Sequence, residues 1–362
     1  MAANDSSTAQ WVGPTWVAAS AASVTGDASP SGIADLQLAL HEKQLTLDDV
    51  VHLRLWTGST ASRSDVLLPW LEAFSERISR PTVSILPSDL RSGIELDITA
   101  IASRDASRRS IYEPGQADNE WPVAVVCGDL LTIGALGAAV RGEPVSEDPA
   151  IQAAAAFERL KGILVEAGAR PSSLAHLFVW YRDHEFRQVV NGPFLEMFPT
   201  QGDRPSRHSL VRELPPNVAL EIEVIGNTSG RRCSYTLSGV WHGGIGGEPN
   251  SLPFGTRVGR YLFSAGTYGR DPTTDEIPDD LEGQTAFAIE HSHSLLHAAG
   301  MDALSIRHVY VWVRDLDLIG DLEHVLRRDL LKSLDHIPLQ LVQSQLPGTN
   351  QVQIEFVAVD ES

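Results

Sequence analysis

One strand is written three times in this chain, and that repetition limits the possible folds more than any other feature. "VHLRLWTGS" (51–59), "AHLFVWYRD" (175–183) and "RHVYVWVRD" (307–315) each place a histidine four positions before a tryptophan: His52/Trp56, His176/Trp180 and His308/Trp312. Each alternates with the period of two that marks a β-strand. Leu53/Leu55, Leu177/Val179 and Val309/Val311 form one apolar face. The other face carries His52, Arg54 and Trp56, then His176, Phe178 and Trp180, then His308, Tyr310 and Trp312. Large aromatic side chains on a second sheet face need cover. Three such faces can cover one another around a pseudo-threefold axis, the symmetry of a cyclic trimer carried by a single chain.

The segments around these strands repeat as well. "GDLLTIGALG" (128–137) matches "GRYLFSAGTYG" (259–269), a strand running into a glycine-rich turn. Helices are predicted over 150–168 and 282–300, each stopping at glycine, and second helices over 186–198 and 319–334. Closing hairpins are predicted over 207–226 and 339–359. The first copy is shorter: a strand at 14–23, helices at 31–45 and 64–78, and a hairpin at 80–102. The similar linkers "SRRSIYEPG" (107–115) and "GRRCSYTLSG" (230–239) separate the copies. The expected domains are therefore 1–104, 105–228 and 229–362. Each has the order β–α–β–α–β–β, an α+β unit with helices on one face of a mixed sheet.

Composition narrows the partners. A formal charge of −19 repels phosphate backbones, and Arg108–Arg109 and Arg231–Arg232 are isolated basic pairs, so no nucleic-acid partner is expected. No apolar run approaches the ~20 residues of a membrane span. The start "MAANDSSTAQW" lacks the pattern of a secretory leader, and a cytoplasmic location is expected. Cys127 and Cys233 fit neither a metal spacing nor a disulfide framework.

The second copy resembles the RidA/YjgF family of small trimeric enamine/imine deaminases. "FERLKGILVEAGARPSSLAHLFVWYRD" (157–183) is similar to that family's helix and following strand. "RPSRHSLVRELPPNVALEIEVIG" (204–226) is similar to its "P-A-R-S … L-P … I-E-I-E" signature. The resemblance extends more weakly to the other copies. It implies a chorismate-mutase-like trimer architecture with sheets inside, helices outside and sites in clefts between units. It also implies an arginine that binds a substrate carboxylate, a glutamate that positions the attacking water, and cleft walls from the first strands. Carried over by position, the arginine falls on Arg207 and the glutamate on Glu221. In the first copy they fall on Arg80 and Glu95. In the third copy Leu339 and Gln353 replace them. The walls fall on Phe254, Ala265 and Gly266 in the third copy and on Trp121 and Gly134 in the second, with Ser20 at the glycine position in the first. Arg207 and Glu221 beside the third copy's first strand are expected to form the best-furnished cleft.

The implied activity is deamination of a small carboxylate-bearing enamine or imine, with no cofactor and no metal. A guanidinium holds the carboxylate bidentately beside an electrophilic C=N carbon, and a carboxylate orients the water. Two alternatives stand beside it: a metabolite-binding or scaffold protein without turnover, and a diverged lyase or condensation enzyme of secondary metabolism. The expected assembly is a monomer, with higher assembly left open. His52, His176 and His308 would make a zinc site if they converged, but packing against their aromatic neighbours is the simpler expectation. The same holds for His291, His293 and His297 on an outer helix. "WHGGIGG" (241–247) follows no strand-to-helix pattern and reads as a linker. Cyanuric acid hydrolases also carry three similar units, but Lys43, Lys161 and Lys332 fall on helices here, away from any nucleophilic dyad.

Overall fold

The computed structural model describes residues 12–22, 32–58, 63–117, 120–139, 145–237, 245, 251–332, 334 and 336–361. Apart from Ile245, the 241–247 stretch lies outside the described residues. The three His/Trp strands are the spine of three separate sheets.

The first sheet holds β1 (Val12–Ala22), β2 (Val50–Thr57), β3 (Thr82–Pro87) and β4 (Ile94–Arg104) in the order β1-β4-β2-β3. The second holds β5 (Arg109–Ile111), β6 (Ala124–Cys127), β7 (Leu130–Leu136), β8 (Leu174–Tyr181), β9 (Ser206–Val211) and β10 (Leu220–Asn227) in the order β5-β6-β7-β10-β8-β9. The third holds β11 (Arg232–Tyr235), β12 (Gly255–Val258), β13 (Tyr261–Ser264), β14 (Thr267–Tyr268), β15 (Ile306–Val313), β16 (Leu339–Gln343) and β17 (Val352–Val359). Its order is β11-β12-β13-β17-β15-β16, with β14 also on β17.

The closing strands are not hairpins. In each sheet the His/Trp strand lies between them, parallel to the earlier strand (β2 with β3, β8 with β9, β15 with β16) and antiparallel to the later one (β4, β10, β17). The link therefore crosses the end of the central strand, and the earlier strand becomes a sheet edge. This edge meets the next sheet.

The helices are α1 (Ile33–Glu42), α2 (Arg63–Ala73), α3 (Pro149–Glu166), α4 (Asn191–Met197), α5 (Leu281–Ala298) and α6 (Ile319–Val325). The two long ones start under carboxylate caps: Asp148 accepts from Ala150 N, and Asp280 accepts from Gly283 N. The second helix of each copy is shorter than the periodicity predicts. In the second copy, the 186–198 stretch divides into a 3₁₀ segment, His184–Gln188, and α4.

The apolar strand faces pack under the helices as expected. Leu53 and Leu55 join Leu36, Leu40 and Trp70; Leu177 and Val179 join Phe157, Leu160 and Phe194; Val309 and Val311 join Leu295, Leu296 and Leu326. The opposite faces meet one another. Trp56 contacts Trp180 and Trp312 at ring-centroid distances of 5.9 and 5.5 Å, and Trp180 lies 6.2 Å from Trp312. These three indoles, with Phe178, Tyr310, Leu86, Leu210 and Val342, make one apolar cluster from all three sheets. A second shared cluster, including Trp16, Val125, Ile225, Phe263 and Val357, closes the other end.

Between the two clusters lies a buried polar layer. Arg54 and Glu223 form an ion pair across the first and second sheets, with side chains 1% and 0% exposed. The Arg54 guanidinium also lies over Phe178 and Tyr310, at 4.2 and 4.8 Å. Burial alone would raise the Glu223 carboxyl; Arg54 and His52 outweigh it and hold the group well below the usual carboxylate range.

Candidate functional site

Each sheet edge reaches the next sheet, so the chain has three seams. At the first, β3 packs on β7: Thr82 Oγ1 lies 3.1 Å from Thr132 Oγ1, and a Cβ on Gly134 would lie 2.7 Å from the Val83 carbonyl oxygen. At the second, β9 packs on the third sheet: Ser206 N donates to Thr256 Oγ1 at 2.7 Å. A Cβ on Gly266 would collide with Gln353 and lie 2.8 Å from His208 Nε2. At the third, Gln340 of β16 bonds Thr99 of β4. Gly134 and Gly266 thus serve the same purpose, allowing an edge strand to approach without a side chain between.

Strand register fixes which residues are equivalent. Leu53, Leu177 and Val309 pair with Val83, Arg207 and Leu339 on the edge strands. Trp56, Trp180 and Trp312 pair with Asp97, Glu221 and Gln353 on the middle strands. Two corrections follow. The first-copy match to Arg207 is Val83; Arg80 is level with Arg204. Its Nε and Nη2 donate to the carbonyls of Phe74 and Ser75, as Arg204 Nε donates to that of Phe198. The match to Glu221 is Asp97. Glu95 lies two positions earlier and is exposed, whereas Asp97 is buried, with burial raising its carboxyl and Ser20 Oγ donating to it at 2.7 Å.

Arg207 and Glu221 do not share a cleft. Glu221 faces the first seam, where Arg63 at the start of α2 grips both its oxygens at 2.7 and 2.8 Å. Arg207 stands at the second seam, next to His208, which bonds Gln353 of the third sheet. The third seam has Leu339 opposite Asp97. Among the described residues no seam combines the edge-strand arginine with the middle-strand carboxylate.

The second seam gathers the most functional groups. Arg207 is 5% exposed. Its Nη2 donates to Asn191 Oδ1 at 3.0 Å and its guanidinium lies 4.8 Å over Phe194, while Nε and Nη1 have no partner among the described residues. Burial pushes it down to about 9, and Arg187 nearby acts in the same direction. It therefore remains a cation at neutral pH. Tyr181 and Tyr268 complete the group. Burial raises both phenols, Tyr181 to about 12, while Arg187 opposes the shift at each. Tyr268 shares a hydrogen bond with Gln353, and His208 lies between Gln353 Oε1 (2.9 Å) and Glu355 Oε2 (2.5 Å). Two guanidiniums, two neutral phenols and an amide suit an anionic ligand with polar substituents.

The remaining expected wall residues are structural in placement. Phe254 and Ala265 are buried, and Ala265 N donates to the Phe254 carbonyl at 2.7 Å. Trp121 packs edge-on to Phe74 at 5.9 Å. The Nδ1 atoms of His52 and His176 pair with the Thr82 and Ser206 hydroxyls, both at 2.8 Å. His308 has no such partner, because Pro338 precedes β16 where the other edge strands carry a hydroxyl. His291 and His293 bond the carbonyls of Arg270 and Asp329. Among the described residues no three His, Cys, Asp or Glu side chains gather as a metal site, and no helix is long and apolar enough to cross a membrane. Arg63, Asp97, Tyr181, Arg187 and Tyr268 escaped the sequence reading. Aligning "LDI" (96–98) with "LEI" (220–222) identifies Asp97; Arg63 and Tyr268 depend on contacts between units, and Tyr181 and Arg187 on the packing around Arg207 within one unit.

Residues 113–227 match the family model Endoribonuclease L-PSP. No curated protein sequence matches the chain. Among solved structures, RidA from the Antarctic bacterium Psychrobacter is 22% identical over 35% of this chain and 98% of its own, with a TM-score of 0.31. E. coli TdcF with bound serine is 24% identical over 35% and 98%, with a TM-score of 0.30. A chorismatase is 13% identical but covers 97% of this chain and 99% of its own, with a TM-score of 0.62. The middle third of the chain therefore carries an L-PSP-type unit, and the whole chain has the mixed α+β fold of the chorismatase.

Proposed function

We propose that the chain is three divergent RidA-like copies, 1–104, 105–228 and 229–362, closed as a monomeric pseudo-trimer. Its second seam takes a small metabolite bearing carboxylates. The observation that carries this reading is the Arg207 guanidinium, buried in the seam with Nε and Nη1 unpartnered. Both bidentate forks of a guanidinium include Nη2, so a carboxylate that displaces Asn191 from Nη2 pairs with it and with either Nε or Nη1. Entry requires the 184–197 segment, which supplies Asn191 and Phe194, to swing outward.

The chemistry is addition of water to a polarised double bond beside that carboxylate. For an imine, water adds to the C=N carbon and the nitrogen leaves as ammonia. Gln353 occupies the position that Glu221 holds in the second unit, and as an amide it orients water without removing its proton. This suits substrates that are themselves reactive, such as 2-iminopropionate. A second reading draws on the chorismatase fold and on the pairing of Arg187 with Arg207. Two cations suit a dicarboxylate, and chorismate carries two carboxylates and an enol ether whose hydrolysis releases pyruvate.

One experiment separates these. Ammonia release from freshly generated 2-iminopropionate and pyruvate release from chorismate are measured with wild type and Arg207→Gln. Turnover of either substrate, reduced at least about 100-fold by Arg207→Gln, supports that chemistry. Turnover unaffected by Arg207→Gln removes Arg207 as the anchor. Binding by calorimetry without turnover leaves a metabolite-binding protein. A solution mass three times that of the chain overturns the monomeric pseudo-trimer.

A further inference from the structure

The three tryptophans that close the shared interior are roofed by one cation. Arg212 directly follows β9, and its Cζ lies 5.5, 5.7 and 5.5 Å from the ring centroids of Trp56, Trp180 and Trp312. Near-equal distances to three equivalent rings put the guanidinium where the three sheets converge. The equivalent residues are serines. Ser88 N, Arg212 N and Ser344 N donate to the carbonyls of Thr57, Tyr181 and Val313 at 2.8, 2.9 and 2.8 Å. Three arginines at these positions would compete for a single place. Divergent copies allow one.

Arg212 is 6% exposed, and among the described residues it has no carboxylate partner. Its Nη1 reaches Val211 O and Ser344 Oγ, while Nε and Nη2 have no partner among the described residues. The indole faces attract its charge, but they leave the in-plane N–H groups unsatisfied, which is costly for a buried cation. Arg212 also lines a cavity of about 770 Å³. Arg182 and Arg314 line the same cavity, and they donate to backbone carbonyls: Arg182 to Pro216, Arg314 to Leu346, Gly348 and Asn350. Ser88 and Ser344 add hydroxyls, and among the described residues the acidic lining residues are Asp89 and Glu213, both exposed. Three guanidiniums thus converge on one cavity in a chain of net charge −19.

We propose that this cavity is an anion-binding site, separate from the Arg207 seam, that takes a small organic molecule through a phosphate or carboxylate group set against Arg212. The volume falls within the range of small-molecule sites, about 300–1,000 Å³, so the anionic head occupies the Arg212 end and the remainder of the molecule fills the vestibule.

The test uses the full chain, with inorganic phosphate and citrate as probes. Binding is followed by calorimetry and by tryptophan fluorescence, which reports on the indoles under Arg212. Arg212→Ser installs the residue its two counterparts already carry and removes an uncompensated buried charge, so its melting temperature is expected to hold or rise. Its anion affinity, read from the indole fluorescence response so that carboxylate binding at the Arg207 seam is not counted, is expected to fall about 10- to 100-fold. Preference for phosphate assigns a phosphoryl head, and preference for citrate a carboxylate head. The proposal is overturned if wild type binds neither probe, if Arg212→Ser binds as well as wild type, or if Arg207→Gln abolishes binding. Should Arg212→Ser fail to fold, Arg212→Lys keeps the charge but loses the planar fork; unchanged affinity and selectivity in that variant also overturn the proposal.

Discussion

Arg207 and Glu221 belong to one sheet and are held by different partners: Arg207 bonds Asn191 of its own unit, and Glu221 is held by Arg63 of the first. Their effects are therefore separable. Glu221→Gln weakens a largely buried, bidentate pair and is expected to cost about 1–3 kcal/mol in denaturant unfolding. Ligand affinity at the Arg207 seam should stay within about twofold of wild type, since the two sites share no partner. A large affinity loss in Glu221→Gln would restore the single-cleft arrangement.

Gly266 and Gly162 should respond in opposite directions to alanine. At Gly266 the added methyl meets Gln353 and His208, so the seam must shift, at a cost of about 1–3 kcal/mol. Gly162 lies within α3 with open space at its Cβ, and alanine there should stabilise by about 0.5–1 kcal/mol. Equilibrium unfolding of the two variants checks both signs.

The Arg54–Glu223 pair should tolerate joint replacement better than single loss. Glu223→Gln leaves a buried guanidinium without its counter-charge and is expected to cost about 3–5 kcal/mol. Arg54→Met combined with Glu223→Leu should recover most of that loss. A double variant no more stable than Glu223→Gln would mean the layer's other members, Tyr310 and His52, depend on these charges.

Acid should loosen the shared interior before it protonates most carboxylates. Burial holds His308 down to about 3 and His176 to about 4, with Arg54 adding to both shifts and Glu355 opposing the one at His176. Both must be neutral in the fold. Their contribution is intact above the unfolded value near pH 6.5 and is lost as pH falls towards 3–4, by up to about 1.4 kcal/mol per pH unit for each ring. Melting temperatures between pH 7 and 4.5 should fall more steeply in wild type than in His308→Leu. Parallel curves would show that His308 does not titrate in this window.

Much of the architecture was legible because it is local and periodic. The His/Trp alternation identified the core strands and both their faces, and Leu53, Leu177 and Val309 lie under helices as that pattern requires. Strand order was less accessible. "LEIEV" and "SRHSLV" read as neighbours because a short turn joins them, yet β8 lies between, and a period of two carries no information about a pairing partner. That same gap placed the first-copy residues at Arg80 and Glu95, where register sets Val83 and Asp97 level with Arg207 and Glu221. Arg63 and Tyr268 were invisible for a further reason: each acts across a seam, and a seam joins residues whose separation in sequence is arbitrary.

The seams also differ in how the chain must close them. The first two join consecutive stretches of sequence, β3 to β7 and β9 to β12. The last joins Thr99 to Gln340, 241 positions apart, and brings Trp16 to within 6.3 Å of Phe263. Loop closure over such a span is slow relative to local pairing. The molecule is in effect a bracelet whose clasp lies between its two ends, and a chain emerging from the ribosome cannot fasten it until the final strands are made. Until then Trp56 and Trp180 lack the Trp312 ring they pack against, and transiently uncovered apolar surface of this kind favours aggregation.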